Sequence, residues 1–511
     1  MGKAATWNDP VAAAAREVPE RAALAEGSMS LSYNELDGRV EAWSRWLEEK
    51  GAGPTARVAV HLPPSAAQVT LVHAIWRTGA AVCPLHSDWT ADESRQALGA
   101  LDPDLVVEAA ADEVASDGQG LRVLPRRRCR PGEGRGPEEE RMALLIRTSG
   151  TDGRPRGVAL SWENLAASAR GARERLELGP DDRWLLSLHP AHVGGAALLH
   201  RAAWTGAELV TTGSFRPGSA AELVDSGRVS HLSLVPVMLE RLMSARGEAP
   251  PPDTLRLILL GGQAAPPSLL RRSMEAGYPV ATTYGLTEAT SQVATAPPSL
   301  AREALGTAGP PLPGVEVGAG GEIRVRGPTV ALGTVEEGAP GVEPLADDDG
   351  WLATGDVGRL DEDGCLWVTG RLSRRIISGG VTVDPAEIEA ALDEVSGVGA
   401  VHVVGRPDPQ WGERPEAVVE PAPNPQPAPA TSPAGDPVAG AEAAPDTAVA
   451  PDGTMAPEAA HLPARLEAHA NAHLSPAKRP RAYHVVDALP RTATGKVDGR
   501  AVERFLEEGA P

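Results

Sequence analysis

The sequence contains few cysteines, few lysines and few aromatic residues. Its three cysteines, Cys83, Cys129 and Cys365, show no paired spacing, which excludes a disulfide framework and fits a reducing compartment. No run approaches the roughly 18 consecutive apolar residues of a membrane span, and no basic segment followed by an apolar one opens the chain. We therefore expect a cytoplasmic protein without a stable membrane anchor.

Positive charge is scarce as well. Lysine and arginine total 48 against 69 aspartates and glutamates, which gives a formal net charge of -21. This balance argues against a nucleic acid as partner, because phosphate backbones attract positive surfaces. Small anionic ligands remain compatible, since they need only a few local donors. The only lysines are Lys3, Lys50, Lys478 and Lys496, so a lysine within a motif is informative.

The chain does have the length and apolar content of a multidomain globular protein, with 511 residues of which 42% are hydrophobic. Helical spacing of apolar residues at 33–47 is followed by a β-rich run at 57–62 and a second helical pattern at 66–76. Further buried strands are expected at 143–146, 183–187 and 255–260, with helices at 220–225 and 267–275. This alternation predicts an α/β fold with mostly parallel sheets.

The pattern of predicted elements and the composition change in the last two fifths of the sequence. Short strands with glycine turns, such as 315–317, 322–325 and 365–368, predict a β-rich subdomain. Between Pro415 and Ala464 there is no lysine or arginine, and proline, alanine, glycine, threonine and acidic residues dominate. Such a segment buries too little apolar surface to fold, so we expect a disordered insertion. Helical periodicity returns at 465–473 and 497–506.

A glycine- and hydroxyl-rich loop follows the predicted strand 144–146. Residues 147–158 read RTSGTDGRPRGV. The glycines allow several backbone N–H groups to face one anion, the hydroxyls add donors, and Arg154 or Arg156 supplies positive charge. The pattern predicts a phosphate-binding loop, although it matches neither the Walker pattern nor the dinucleotide-binding glycine pattern.

Two further motifs carry groups suited to a nucleotide. Residues 282–292 read TTYGLTEATSQ, in which the Tyr284 ring can stack on a purine and Glu288 is a hard oxygen ligand suited to Mg²⁺. Residues 350–356 read GWLATGD and offer Asp356 to a ribose diol. Each motif alone is also compatible with an ordinary turn or helix cap.

These motifs, together with Gly370-Arg371 and the sequence LPRTATGK at 489–496, resemble in their order the acyl-adenylate-forming superfamily of acyl-CoA synthetases, adenylation domains and luciferases. Within it the chain is similar to the o-succinylbenzoate–CoA ligase family of menaquinone synthesis. The similar segments are DRWL at 182–185, HPAHVGG at 189–195, LLGGQAAP at 259–266, YGLTEATSQV at 284–293 and IISGG at 376–380.

The resemblance implies a large N-terminal domain, residues 1–370, and a small mobile C-terminal α+β domain, residues 371–511, with the insertion at about 421–463. It implies an AMP-forming acid–thiol ligase that adenylates 2-succinylbenzoate with ATP and Mg²⁺ and passes the acyl group to coenzyme A. The expected partners are small-molecule substrates, and a homodimer is compatible with the resemblance.

The resemblance also assigns roles to residues. Lys496 would bridge the substrate carboxylate and the α-phosphate, and the residues with catalytic roles are Lys496, His192 and Glu288. Thr151 and Glu288 would hold the metal. The ATP-binding residues would be Thr148, Ser149, Gly150, Thr151, Gly153, Arg156, Thr283, Tyr284, Gly285, Thr287, Asp356 and Arg371. The acyl substrate would contact His192, Arg201, Gly261, Gly262 and Gln263, and coenzyme A would contact Ser378, Gly379 and Gly380.

Arg201 is the candidate for recognising the second carboxylate of a dicarboxylate substrate. It follows His192 by nine residues on a predicted helix, where a solvated arginine on the helix surface is the alternative. Two positions depart from the family pattern: Arg156 stands where lysine is usual, and Arg374 where the hinge aspartate is usual. Another aryl- or fatty-acyl-CoA ligase or a stand-alone adenylation enzyme would keep the ATP motifs, and a catalytically impaired nucleotide-binding homologue would explain the departures.

Overall fold

The computed structural model describes residues 9–109, 120–126, 142–148, 155–337, 341–378, 381–408, 411–422, 461–492 and 495–508. The chain divides into two compact units. Unit 1 comprises residues 1–265 and 269–368, and unit 2 comprises residues 266–268 and 369–511.

The helices and strands are numbered in chain order. The helices are α1 (Pro10–Glu17), α2 (Tyr33–Glu49), α3 (Ala66–Arg77), α4 (Ala91–Leu101), α5 (Trp162–Leu176), α6 (Val193–Thr205), α7 (Pro217–Asp225), α8 (Pro236–Arg246), α9 (Pro267–Glu275), α10 (Pro298–Glu303), α11 (Pro385–Asp393), α12 (Leu462–His473) and α13 (Gly499–Glu508). The strands are β1 (Ala22–Glu26), β2 (Met29–Ser32), β3 (Arg57–His61), β4 (Ala81–Pro84), β5 (Leu105–Ala109), β6 (Leu121–Pro125), β7 (Met142–Thr148), β8 (Arg156–Ser161), β9 (Arg183–Leu185), β10 (Glu208–Thr211), β11 (His231–Leu234), β12 (Leu257–Leu260), β13 (Val280–Tyr284), β14 (Ala294–Ala296), β15 (Glu316–Gly318), β16 (Gly321–Arg326), β17 (Gly333–Val335), β18 (Leu352–Leu360), β19 (Leu366–Arg371), β20 (Ile376–Ser378), β21 (Val381–Val383), β22 (Val398–Asp408), β23 (Gly412–Pro421) and β24 (Tyr483–Val485).

Unit 1 contains two large sheets with parallel centres. The eight-stranded sheet has the order β14-β13-β12-β11-β9-β10-β1-β2, and the seven-stranded sheet has the order β17-β8-β7-β4-β3-β5-β6. Neighbours from β13 to β1 pair in parallel, and so do β7, β4, β3 and β5, whereas the outer pairs are antiparallel. Central strands such as β12, LILL, are buried throughout, which is typical of parallel sheets covered by helices on both faces.

The helices α2 and α4 of unit 1 each begin with a capping box. Ser32 accepts a hydrogen bond from the Glu35 N–H, and the Glu35 side chain accepts from the Ser32 N–H, so α2 begins with a capping box. The same reciprocal pair forms between Thr90 and Glu93 at α4. A four-stranded antiparallel sheet, ordered β15-β16-β18-β19, corresponds to the β-rich subdomain predicted after residue 309.

Unit 2 is built on a five-stranded sheet in which β21, β20, β23 and β22 are adjacent and β24 pairs with β23. Buried Leu392, Val403, Val419 and Leu466 pack between this sheet and its helices. The predicted insertion at 421–463 overlaps ordered structure at both ends, because β23 ends at Pro421 and α12 begins at Leu462, which is buried. Residues 423–460 lie outside the described residues. Across the described ranges, no helix is both long enough and apolar enough to cross a membrane.

Candidate active site

The predicted phosphate loop begins at the carboxyl end of β7, where β8 runs back beside it. Thr148 on β7 pairs with Arg156 on β8, so both side chains lie on one face of the sheet. Thr148 Oγ1 and Arg156 Nε are buried and have no hydrogen-bond partner among the described residues. Four predicted ATP-binding residues, Ser149, Gly150, Thr151 and Gly153, lie outside the described residues.

Glu288 lies next to this pair. Its Oε1 is 3.8 Å from Arg156 Nη2, and both side chains are about one-fifth exposed. Glu288 belongs to a short 3₁₀ helix, Thr287–Ala289, that follows β13. The fold therefore brings a carboxylate, a guanidinium and a hydroxyl to one end of the seven-stranded sheet.

The loop after β13 is shaped by close backbone contacts. A Cβ on Gly285 would lie 1.4 Å from the Ser291 carbonyl oxygen, so only glycine fits there. Thr290 and Ser291 adopt positive φ values of 54° and 82°, a region that most non-glycine residues avoid. The Tyr284 hydroxyl donates to Asp356 Oδ2 at 2.8 Å. Two predicted ATP-binding residues that are far apart in the sequence are therefore in contact.

The predicted acyl-binding segment 261–263 follows β12 and lies beside β13. A Cβ on Gly261 would come within 2.6 Å of Thr283 Cγ2, which leaves room for glycine only. Gly262 has a φ of +82°. The Thr283 hydroxyl donates to the Ala294 carbonyl at 2.9 Å. The loop with Gly262 and Gln263 therefore lies next to the strand that leads to Tyr284.

His192 occupies the N-terminal end of α6, after a tight turn. The His192 N–H donates to the His189 carbonyl at 3.0 Å and closes the turn. A Cβ on Gly195 would lie 2.5 Å from the carbonyl oxygens of both Leu188 and His189. Gly195, the second glycine of the HVGG sequence, is thus required because the first turn of α6 packs against the preceding loop.

Arg201 is not a surface residue. It lies in the middle of α6, is 2% exposed, and its Nε and Nη2 have no hydrogen-bond partner within the described part of the chain. Burial lowers the pKa of its guanidinium to about 10, and no carboxylate among the described residues compensates for this. The solvated-arginine alternative is therefore wrong. A buried cation without a partner is costly, so this site is suited to an anionic ligand.

Two histidines near His192, His86 and His189, were not predicted as site residues. His86, two residues after β4, stacks on His189 with ring centroids 3.9 Å apart. His86 follows the carboxyl end of a parallel strand, where ligand sites of α/β sheets usually lie, and this signal could have found it.

Gln292, also buried, donates from Nε2 to Thr295 Oγ1 at 2.8 Å, and its Oε1 lacks a partner among the described residues.

Lys496 belongs to unit 2, where a short hairpin holds it. Thr492 N–H donates to the Lys496 carbonyl at 2.7 Å, and Gly495 N–H donates to the Thr492 carbonyl at 2.8 Å. Gly495 has a φ of +78°, which explains the glycine before the lysine. Arg491 Nη2 anchors the hairpin to Glu420 Oε2 at 3.0 Å.

The remaining predicted residues of unit 2 lie around β19 and β20. Arg371 ends β19 and is exposed, whereas Ser378 ends β20 and is buried. Gly379 and Gly380 lie outside the described residues. Arg374, the departure at the hinge, donates from Nη2 to Glu389 Oε1 at 2.5 Å and to the Val403 carbonyl at 3.1 Å. This arginine is therefore a packing residue of unit 2.

Comparison with known proteins agrees with this arrangement. The family model of AMP-binding enzymes matches residues 11–334, and the model of the AMP-binding enzyme C-terminal domain matches 387–434 and 430–496. The chain belongs to the AMP-binding enzyme family. A 2-succinylbenzoate–CoA ligase from Geobacillus kaustophilus is 33% identical to it over 511 residues, which cover 96% of each protein.

Solved structures of the family match over almost the full length. O-succinylbenzoate CoA synthetase from Bacillus subtilis, in complex with the acyl-adenylate intermediate OSB-AMP, aligns with a TM-score of 0.77, 26% identity and 98% coverage of each chain. The same synthetase with ATP and magnesium ion gives a TM-score of 0.76 and 27% identity, covering 96% of this chain and 98% of that one. The predicted superfamily, α/β fold and class of AMP-forming acid–thiol ligase are confirmed.

Proposed function

We propose that the protein ligates 2-succinylbenzoate to coenzyme A through an acyl-adenylate. In the first step a carboxylate oxygen of the acid attacks the α-phosphorus of ATP, and pyrophosphate leaves. In the second step the coenzyme A thiolate attacks the acyl carbonyl carbon, and AMP leaves. The relatives named above support this reaction, and the buried, unpaired Arg201 is the observation that carries the choice of a dicarboxylate.

Adenylation depends on positioning and on charge neutralisation, because the protein contributes little covalent chemistry to it. The unpartnered Thr148 hydroxyl and Arg156 Nε suit phosphate oxygens, and Asp356 suits a ribose hydroxyl. Glu288 and Thr151 have the hard oxygen atoms that Mg²⁺ prefers. Mg²⁺, when bound, would neutralise charge on the phosphates. Lys496 would contact the carboxylate and the α-phosphate in this step only.

Arg201 accounts for the second carboxylate. 2-Succinylbenzoate has two acidic groups, of which one is activated and the other keeps its charge. A buried guanidinium that lacks a carboxylate in the described residues provides the opposite charge, and a charge-assisted pair of this kind is among the strong hydrogen bonds of proteins. A monocarboxylate would leave this cation buried and unpaired, so the site discriminates against such acids.

The experiment that tests this proposal is a comparison of two acids in two proteins. We expect the ratio of kcat/KM for 2-succinylbenzoate to that for a neutral analogue without the second carboxylate to fall in Arg201→Ala by an amount equivalent to about 2–5 kcal/mol. Arg170→Ala, which removes an exposed arginine of α5, is the matched control and should leave the ratio unchanged. A ratio that does not move in Arg201→Ala would contradict the proposal.

The other aryl- or fatty-acyl ligases and the stand-alone adenylation enzymes are tested by the same substrates. Pyrophosphate release with a set of aryl and fatty acids separates them from a dicarboxylate ligase, and absent release with every acid would indicate an impaired homologue. The cytoplasm, which supplies ATP and coenzyme A, is the expected location, and a homodimer is compatible with the proposal. Gel filtration with light scattering measures the latter.

A further inference from the structure

Two histidine rings stack where two loops of unit 1 meet. His86 follows β4 of the seven-stranded sheet, and His189 follows β9 of the eight-stranded sheet. Their ring centroids are 3.9 Å apart and their planes are inclined by 21°. The His192 ring lies 5.6 Å from His86. The ring pair therefore joins the two sheets next to the predicted acyl-site histidine.

Backbone hydrogen bonds define which ring nitrogens carry protons. The Ala191 N–H donates to His189 Nδ1 at 3.0 Å, and the Asp88 N–H donates to His86 Nδ1 at 3.2 Å. A ring nitrogen that accepts a hydrogen bond carries no proton, so each neutral ring has its proton on Nε2. The Ser87 N–H also donates to His189 Nε2, over a longer distance of 3.4 Å. A neutral ring accepts at one nitrogen only, and the shorter bond from the Ala191 N–H assigns the acceptor to Nδ1.

From this tautomer His189 can donate to the Ser87 hydroxyl, 3.5 Å away. A second proton on either ring would have to displace a backbone N–H from Nδ1. Burial lowers the pKa of His189 to about 3, and His86, His192 and His61 act in the same direction. Burial also lowers the pKa of His86, against the opposing charges of Asp88 and Glu93. His189 is therefore neutral near pH 7, and His86 is less protonated than an ordinary histidine.

His189 also contacts the start of α6 through its backbone. Its carbonyl accepts the N–H of His192 at 3.0 Å and lies against Gly195, where no Cβ fits. A shift of the His189 ring would consequently move His192 and the first turn of α6. We propose that His189, stacked as a neutral ring on His86, is a positioning residue that orients His192 and the start of α6 toward the acyl substrate. This inference rests on the proposed function and on the acyl-site role that the family resemblance gives His192.

The test compares two substitutions of His189. His189→Leu removes the Ala191 and Ser87 contacts, and we expect kcat/KM for the acid to fall by a factor on the order of 10 to 100 while KM for ATP stays unchanged. His189→Asn offers an oxygen to the Ala191 N–H and should restore most of the activity. His473→Leu, on the exposed side of α12, is the control. An unchanged kcat/KM for the acid in His189→Leu, or an equal loss for acid and ATP, would overturn the proposal.

Histidine-selective ¹⁵N NMR of the native protein provides a second measurement that does not depend on the folding of a variant. At about pH 6.5 an ordinary histidine is half protonated, whereas His189 should be neutral with its proton on Nε2 and His86 should be less than half protonated. A charged His189 ring, or one with its proton on Nδ1, would contradict the proposal. If native protein shows no turnover of 2-succinylbenzoate, the proposed function fails, and the spectrum still decides the state of the ring pair.

Discussion

The loop after β13 and the helix α6 both contribute to the candidate site, but their polar groups differ in whether the chain supplies their hydrogen-bond partners. In the loop, Ser291 N–H donates to Leu286 O at 3.1 Å, and Thr290 Oγ1 donates to Thr329 O at 2.6 Å. In α6, Arg201 is buried with two nitrogens that lack a partner among the described residues. A loop whose backbone is held by such bonds has its shape defined by the chain, whereas an unsaturated side chain is suited to complete its contacts with a ligand. Substitutions in each kind of group, and a deletion outside both, separate the two roles.

The largest effect is expected for Lys496, whose hairpin is closed by backbone bonds as the loop after β13 is. Lys496→Ala should lower adenylation by a factor on the order of 100 or more, since it removes a charge that acts on the reacting groups. Thioester formation from pre-made acyl-adenylate should be largely retained. Pyrophosphate release and single-turnover thioester formation measure the two steps separately.

Lys478→Ala is the matched control for this variant, because Lys478 also belongs to unit 2 and pairs with Glu387 at 2.6 Å. It should leave both steps close to native. If Lys496→Ala slows both half-reactions equally, its lysine is not specific to adenylation.

The second prediction concerns the loop after β13, whose shape is defined by hydrogen bonds of the chain. Gly285→Ala places a Cβ on the Ser291 carbonyl, so the loop must move, at a cost of about 1–3 kcal/mol. KM for ATP should rise about tenfold, an amount that corresponds to 1.4 kcal/mol. Gly38→Ala, in α2 where nothing lies within 4 Å of the added Cβ, should be neutral or slightly stabilising. An unchanged KM for ATP in Gly285→Ala would show that this loop does not shape the nucleotide site.

The third prediction compares two arginines. Arg374 is saturated by Glu389 and Val403, and its pair is partly exposed, at 35% and 18% of the two side chains. Arg374→Ala should therefore lower the free energy of unfolding of unit 2 by about 1–2 kcal/mol and leave acid specificity unchanged. Arg201→Ala should lower acid specificity and leave the free energy of unfolding of unit 2 unchanged. Denaturant unfolding and the ratio of kcat/KM for the two acids measure these effects, and a loss of specificity in Arg374→Ala would refute the distinction.

The smallest effect is expected outside both kinds of group. Replacing residues 423–460 by a short Gly/Ser linker should change stability by about 1 kcal/mol or less, because loop closure depends weakly on length. A longer deletion of 421–463 also removes the buried Leu462 and should cost about 2–5 kcal/mol. Thermal unfolding separates the two deletions. Loss of coenzyme A transfer in the shorter one would mean that the segment takes part in the reaction.

Local patterns predicted much of the fold, because apolar periodicity reports the buried face of a single element. Helix 267–275 has the predicted limits, and the predicted strand at 255–260 is β12, Leu257–Leu260. The patterns could not show which elements meet. The contact of His86 with His189 joins two residues that are 103 positions apart (189 − 86), and the ion pair of Arg374 depends on how α11 packs on its sheet. The sequence did not predict that Leu462, inside the predicted insertion, is buried at the start of α12, because its burial depends on what it packs against.

The hydrogen bond between Tyr284 and Asp356 determines that the Asp356 side chain loses its conformational entropy on folding. Asp356 accepts the phenol proton at 2.8 Å, and an ionised carboxylate has about four acceptor positions. A side chain that has already lost its rotamer freedom on folding loses none when the nucleotide arrives. If Asp356 binds the ribose as proposed, the nucleotide would meet a carboxylate with a settled orientation, and each catalytic cycle would begin without the entropic cost of ordering it.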